Sequence, residues 1–200
     1  LSSTLRAEAE RNALTGKRTR VLNLGCGPAH EIQRFLENEE LSDMCDITLL
    51  DFNAETIEYT QKALTQVRTQ SGRVTPISLL QRSVHQLLRQ ATTGDVDLQW
   101  ESYDVVYCAG LFDYLSQRVC RRLNDLFVRL LAPGGLMMVT NVSRDNPSRA
   151  WMEFVLEWNL IYRDDAAMME IAPLNGGQFE TELRKDDTGV NLFLEVRKRA

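Results

Sequence analysis

The sequence predicts an α/β three-layer sandwich: a mostly parallel sheet of seven strands, helices on both faces, and an antiparallel hairpin at the C-terminal end. Three observations carry that expectation. Apolar runs that read as buried strands recur near residues 20–25, 46–51, 73–79, 103–109 and 135–142. Segments with helical apolar spacing separate them, and such alternation is the pattern of a parallel sheet covered on both sides. Val21-Leu-Asn-Leu-Gly-Cys-Gly-Pro-Ala-His-Glu31 then runs from a strand through a glycine turn into a helix. That form suits a nucleotide-type site, because backbone N–H groups at a helix N-terminus point at the ligand.

Residues 1–19 are polar, and Leu5, Ala9 and Leu14 give the only apolar periodicity there. They predict a loose helical extension ending near Gly16. The chain opens on Leu rather than Met, which leaves room for a longer parent protein. Residues 20–200 are expected to form a single domain, and 200 residues suffice for a full-sized core.

In the first strand Val21, Leu22 and Leu24 are the apolar positions. Gly25 and Gly27 let the backbone turn tightly, with no Cβ between it and a ligand. Pro28 suits a helix first turn, where its missing N–H costs nothing. Ile32, Phe35 and Leu36 then mark a buried helix face. The second strand, Ile47-Thr-Leu-Leu-Asp51, ends in a carboxylate. It lies roughly twenty-odd residues past the glycine turn, where a nucleotide-binding βαβ unit places the acid that receives ribose hydroxyls. Asn53 is available to cap the next helix, which leaves Asp51 for a ligand. Ile57, Leu64 and Val67 line that helix.

Ser83 follows the third strand as a helix N-cap candidate, and Val84, Leu87, Leu88 and Ala91 form the apolar stripe after it. The fourth strand ends in the small residues Cys108, Ala109 and Gly110. Val119, Leu123, Leu126, Phe127 and Leu130 line the following helix. Beyond the fifth strand, Ser143-Arg-Asp-Asn-Pro-Ser148 is a turn cluster. Trp151, Phe154, Val155, Trp158 and Tyr162 follow helical spacing, which predicts a helix packed on the sheet with one or two rings at a pocket. A short helix is expected from Asp164 to Ile171. Phe179–Leu183 and Asn191–Val196 complete the pattern as a hairpin joined by Lys185-Asp-Asp-Thr-Gly189.

Composition narrows the function. The chain is 44% hydrophobic and 26% charged, with a net charge of −5. Its scattered basic residues argue against nucleic acid as a partner, since such proteins carry a basic stripe. Cys26, Cys45, Cys108 and Cys120 show no metal-type pairing, so reduced thiols in a cytoplasmic protein are expected, with no metal site. No run reaches the ~18 apolar residues of a membrane span. No signal peptide is recognisable.

The identity of the nucleotide turns on His30. A dinucleotide corner wants a small residue at the sixth motif position for close helix–strand packing, and His30 is large. A cofactor without phosphates fits better. Here the chain resembles class I S-adenosylmethionine-dependent methyltransferases. Asn23-Leu-Gly-Cys-Gly-Pro-Ala29 is similar to their first motif, Leu50-Asp-Phe52 to their second, and Tyr103-Asp-Val-Val-Tyr-Cys-Ala-Gly110 to their fourth. Leu131-Ala-Pro-Gly-Gly-Leu136 resembles the helix-to-strand turn before their fifth strand.

The resemblance implies a Rossmann-like fold and S-adenosyl-L-methionine as cofactor. It implies that Gly25, Cys26 and Gly27 line the methionine part through backbone groups. Asp51 would hold the ribose, Phe52 would pack on the adenine, and Ser83 and Val84 would lie by its edge. Ala109 and Gly110 would leave room for the sulfonium. The chain departs from the family at Asn23, where an acid is usual, and at Ser83. Phe112, Asp113, Tyr114, Asn141 and Arg149 are the candidates to meet the methyl acceptor. No general base is assigned. His30 and His85 are the only histidines.

Leu-Phe-Asp-Tyr-Leu115, the aromatic segment with Leu160-Ile-Tyr-Arg163, and Asp-Thr-Gly-Val-Asn-Leu-Phe-Leu-Glu195 together resemble a bacterial subgroup, the 3-hydroxypalmitic acid methyl ester biosynthesis proteins. That implies a small-molecule acceptor, the carboxylate of a (hydroxy) fatty acid. The alternative is a non-catalytic cofactor-binding module of a larger protein, serving regulation or interaction. A nicotinamide dehydrogenase ranks third. Nucleic-acid methylation ranks last, because the fourth strand continues Ala-Gly-Leu-Phe112 and not into an Asn/Asp-Pro-Pro-Tyr motif.

Overall fold

The computed structural model describes residues 1–94, 98–174 and 177–200. The chain runs α1 (Ser2–Ala13), β1 (Thr19–Leu24), α2 (His30–Asn38), β2 (Cys45–Asp51), α3 (Ala54–Gln70), β3 (Ile77–Gln81) and α4 (Val84–Thr93). It continues through β4 (Tyr103–Cys108), α5 (Gln117–Leu130), β5 (Leu131–Val142), α6 (Arg149–Phe154), α7 (Asp165–Glu170), β6 (Phe179–Lys185) and β7 (Asn191–Lys198). A 3-10 turn, Phe112–Tyr114, follows β4.

The strands form one sheet in the order β3-β2-β1-β4-β5-β7-β6. β1 to β5 are parallel to their neighbours, and β7 pairs antiparallel with β5 and with β6. The predicted seven-stranded, mostly parallel architecture with its terminal hairpin is therefore the observed one. Alternate residues of each central strand feed two cores. Leu22, Leu24, Val106 and Cys108 pack with α4, α5 and α7. Val21, Ile47, Leu49, Val105 and Tyr107 pack with α1, α2 and α3 on the other face. Period-two alternation thus makes three layers from one set of strands.

Several boundaries differ from the sequence reading, each for a local reason. α1 is no loose extension: Leu5 and Ala9 are buried in the second core. Its buried Glu8 takes a two-pronged bond from Arg197 of β7, at 2.6 and 3.1 Å. β3 starts at Ile77 and not at residue 73, because Val74 and Thr75 are first tied to the Asp43 carboxylate at 2.7 and 2.9 Å. Pro76, with no N–H, then separates that tie from the sheet ladder. β5 begins earlier than expected, at Leu131. The expected Ala132-Pro-Gly-Gly135 turn becomes an irregularity within the strand, where the register jumps from Tyr103↔Leu131 to Val105↔Leu136.

The aromatic helix is the largest correction. α6 stops at Phe154, and Glu157 adopts a left-handed conformation with φ +53°. Trp151, Phe154, Val155 and Trp158 are exposed instead of packed on the sheet. An isolated bridge between Ser143 and Arg163 pins both ends of this excursion at the tip of β5.

Candidate functional site

The strand order reverses between β1 and β4, and ligands of open α/β sheets bind at the carboxyl ends of strands beside such a reversal. A cavity of about 740 Å³ opens there. Leu24 to Pro28 wall it from β1, and Asp51 and Phe52 from β2. Arg82 to His85 contribute from the start of α4, and Ala109, Gly110, Leu111, Tyr114 and Leu115 from the segment after β4.

The glycine turn is held from below. Gly25 and Cys26 both donate their N–H to Leu50 O, at 2.8 and 3.0 Å. Gly27 donates to Asp51 Oδ2 at 3.0 Å, and its carbonyl accepts from Thr60 Oγ1 at 2.7 Å. These three N–H groups are spent inside the fold, while Gly25, Cys26 and Gly27 all line the cavity. A corner without free N–H groups on its glycines is poor at gripping a pyrophosphate and adequate for a phosphate-free cofactor.

Gly25 is required twice over. Its φ is +69°, and a Cβ there would stand 3.0 Å from Leu111 Cδ2. At Gly27 and Gly110, both with positive φ, a Cβ would project into open space. Pro28 does not start the helix as expected. α2 begins at His30, after Ala29 has taken a left-handed conformation with φ +51°.

Asp51 is buried, and its second oxygen accepts the Asn53 N–H at 3.0 Å. Each carboxylate oxygen has thus received one donor and keeps a lone pair for another. Asn53 caps α3 as predicted, accepting from Glu55 and Thr56. Ser83 closes a capping box with Gln86 at the head of α4 while lining the cavity. Phe52 stands at the rim, two-thirds exposed. The Cys26 thiol is pushed up to about 12 by burial and by the nearby Asp51 and Glu31 carboxylates, so it stays protonated.

The predicted residues thus divide. Gly25, Cys26, Gly27, Asp51, Phe52, Ser83, Val84, Ala109, Gly110 and Tyr114 meet around one cavity. Five others lie outside that lining. Asn23 is buried under the glycine turn. Phe112 is core. The Asp113 carboxylate accepts the Val142 N–H at 2.6 Å, and burial pushes its pKa up against the pull of that N–H and of Arg163. Asn141, fully buried, donates to Ile161 O at 2.9 Å. Arg149 pairs with Glu153 at 3.0 Å and lies over the Tyr162 ring.

Two residues escaped the sequence reading. Arg163, 1% exposed, donates to Phe112 O (2.8 Å), Leu115 O (2.7 Å), Gln117 Oε1 (2.9 Å), Cys120 Sγ (3.4 Å) and Asn141 Oδ1. All five of its N–H donors are satisfied, and they fasten the segment that walls the cavity. Nothing local in the sequence marks it. Glu31, in the first turn of α2, accepts from Tyr107 Oη at 2.7 Å and Asn23 Nδ2 at 3.1 Å. Its signal was available: an acid at the first turn after the glycines.

Among the described residues no group of His, Cys, Asp and Glu could hold a metal ion, and no helix is long and apolar enough to cross a membrane.

Known proteins share this fold. An uncharacterized protein of Rickettsia prowazekii is 21% identical over 121 residues, 60% of this chain and 42% of that one. The chain therefore spans less than half the length of this curated relative. A SAM-dependent methyltransferase from Methanosarcina mazei shares the fold with a TM-score of 0.61 at 13% identity, over 92% of this chain and 93% of that one. Magnesium protoporphyrin IX methyltransferase from Synechocystis PCC 6803, solved with bound SAH, gives 0.63 at 11% identity, over 100% and 83%. The family described as "Methyltransferase domain" matches residues 15–186, a span that takes in the glycine turn, Asp51 and the strand reversal between them and β4. On that match the chain belongs to the methyltransferase-domain family.

Proposed function

We propose that this chain transfers a methyl group from S-adenosyl-L-methionine to a small apolar acceptor, and that the acceptor atom is the carboxylate of a (hydroxy) fatty acid. The observation that carries the first part is the cavity at the β1/β4 reversal. Its size falls within the roughly 300–1,000 Å³ of small-ligand pockets. Its residues fit the cofactor. Asp51 has two lone pairs free for ribose hydroxyls, Phe52 offers a ring face at the rim, and Gly27 and Gly110 leave open the space that a Cβ would fill.

When bound, the cofactor supplies an electrophilic methyl group on a sulfonium, and the leaving group is a neutral thioether. The chain's own contribution is then to position two reactants, which by itself lowers such a barrier by a large amount. Arg163 and Asp113 do this indirectly, by fixing the Leu111–Leu115 wall and the end of β5. The fatty-acid reading rests on the rim. Leu111, Tyr114 and Leu115 are apolar or aromatic, and the exposed rings of the Trp151–Trp158 segment belong to the excursion joined to this wall through Ile161 N and Asp113 O at 2.7 Å. The wall's one thiol, Cys26, is protonated, and Asp51 is already engaged. An acceptor that arrives ionised, such as a carboxylate, needs no base.

Two measurements test this. Calorimetric titration with S-adenosylhomocysteine compares the wild type with Asp51→Ala; micromolar binding is expected, weakened at least about tenfold in the variant, on the scale of one charged hydrogen bond. Incubation with labelled cofactor and 3-hydroxypalmitate should then yield a base-labile methyl ester. Cofactor binding without ester from fatty acids of any chain length overturns the acceptor, and no binding by the wild type overturns the whole reading. The regulatory-module alternative predicts binding with no turnover on any acceptor.

A further inference from the structure

Residues 151–161 carry an apolar surface that the fold leaves unused. Thirteen large hydrophobic side chains are exposed among the described residues, and six of them lie here: Trp151, Phe154, Val155, Leu156, Trp158 and Ile161. Two more, Phe52 and Tyr114, stand in the lining of the cavity. The excursion leaves the sheet at the carboxyl end of β5, which runs parallel to β4, and returns at Arg163. It therefore stands at the same end of the sheet as the cavity. The display is anchored from within. Met152 is the one buried residue of the segment, and its Sδ accepts from Asn146 Nδ2 at 3.0 Å. Glu157, left-handed, turns the chain so that Trp158 N donates to Met152 O at 3.0 Å. Met152 is thus held inside while the rings around it stand in solvent.

Size and charge select the occupant. Trp151, Phe154 and Trp158 are 57%, 84% and 50% exposed. At about 150–250 Å² per ring, they present roughly 300–450 Å² of ring surface, and a contiguous patch of that order marks an interaction site. A standard protein interface takes about 800 Å² from each partner, so a second copy seated here would have to cover the polar margin as well. That margin is acidic. Arg144 pairs with Asp164 at 2.6 Å, Arg149 pairs with Glu153 at 3.0 Å, and Arg163 is buried. Among the described residues Asp145 and Glu157 form no ion pair. A two-fold contact sets one patch against its own copy, so it would bring these acids together. An anionic surface is repelled for the same reason. An apolar surface without net charge is what matches, and tryptophan rings suit the boundary between water and lipid.

We propose that residues 151–161 seat the protein on a zwitterionic lipid bilayer, with Trp151, Phe154 and Trp158 entering the headgroup boundary. So short a segment buries too little to fix the protein there, so the attachment is reversible. It turns the cavity's end of the sheet toward the lipid, where a long-chain acid partitions. The docking stands on the patch alone. Its use, delivery of an apolar acid to the cavity, rests on the acceptor reading above.

The test is flotation of the cofactor-free chain with phosphatidylcholine vesicles, with tryptophan emission read in parallel. The wild type should float with the vesicles, and its emission should move to the blue. Raising the salt to about 0.5 M should not release it, since screening acts on charges. Phe154→Ser combined with Trp158→Ser should weaken binding at least about tenfold, because two rings lose their burial in lipid. Both side chains are exposed, so the fold is expected to survive, and an unchanged thermal melt checks it. A wild type that does not float overturns the proposal, as does binding confined to anionic vesicles, or equal binding by the double variant. A wild type that sediments as a dimer beside a monomeric double variant gives the patch to a second copy and overturns it too. No cofactor or acceptor is present in any arm, so none of these outcomes decides the methyl-transfer reading.

Discussion

Arg163→Met is the perturbation with the largest expected effect on this fold. The guanidinium is buried and all five N–H groups are used. Methionine fills much of the volume and returns none of the bonds. Phe112 O, Leu115 O and Asn141 Oδ1 are then left without this donor in a dry interior, at about 1–3 kcal/mol for each acceptor that finds no substitute. Partial relaxation of the segment reduces the sum, and loss of one partner from a buried charged network typically costs about 3–5 kcal/mol. That is about a fifth or more of a total stability of about 5–15 kcal/mol. With a urea slope of about 2 kcal/mol per molar, the midpoint should fall by roughly 1.5–2.5 M. Trp100, Trp151 and Trp158 supply the fluorescence signal. Arg163 also holds the Asp113 pKa down against burial. Without it, that carboxyl's folded pKa rises further above its unfolded value. The resulting penalty exists above the folded pKa and vanishes as pH falls toward the unfolded value. The deficit of Arg163→Met should therefore shrink as the pH is lowered toward the ordinary carboxylate range. A midpoint loss under about 0.5 M at unchanged slope, or a deficit that grows in acid, would refute this account of the buried arginine.

Other outcomes follow from the same structure. Burial pushes Cys26 and Cys45 up to about 12 and Cys120 up to about 11, and Cys108 is raised as well. The native protein should resist a disulfide reagent at pH 8, and all four thiols should react in denaturant; rapid native reaction of one would refute their burial. Unfolded thiols ionise near pH 8.5 and the folded ones later, so the unfolded state binds fewer protons in between and stability should fall as pH rises above about 9. Gly135→Ala would set a Cβ 2.9 Å from both Ala132 O and Tyr103 O, so backbone must move. A loss of about 1–3 kcal/mol is expected from urea titration, and a Gly135→Ala variant of wild-type stability would contradict the bulge at the start of β5. Glu8→Ala leaves Arg197 and Arg11 without their buried partner. A loss of about 2 kcal/mol or more would mark α1 as integral to the fold, and a loss within about 0.5 kcal/mol would mark it as an appendage.

What the sequence disclosed, and what it hid, follows from the range of the interactions. The sheet was legible because strand and helix periodicities are local. The β1 turn and the acid ending β2 were legible because both lie on consecutive residues, and the cavity does gather them. The acceptor side was not. Phe112, Asp113, Asn141 and Arg149 sit at chain positions that normally face a pocket, but their side chains are drawn into core packing, a β5 tie, an Arg163 bond and a surface ion pair. Most of those outcomes depend on a residue about twenty to fifty positions away, and no window of local periodicity reaches so far. The aromatic segment failed for a related reason. Helical spacing at Trp151, Phe154, Val155 and Trp158 describes a face but not a partner for it. With β7 inserted beside β5 and the chain returning through Arg163, the sheet offers that face no surface. Glu31 shows the converse. Its position was plain, yet its partners, Asn23 on β1 and Tyr107 on β4, meet it only once helix and sheet are packed. This corner is therefore built jointly by a local motif, which shapes the cavity, and by distant side chains such as Arg163, which fasten its wall.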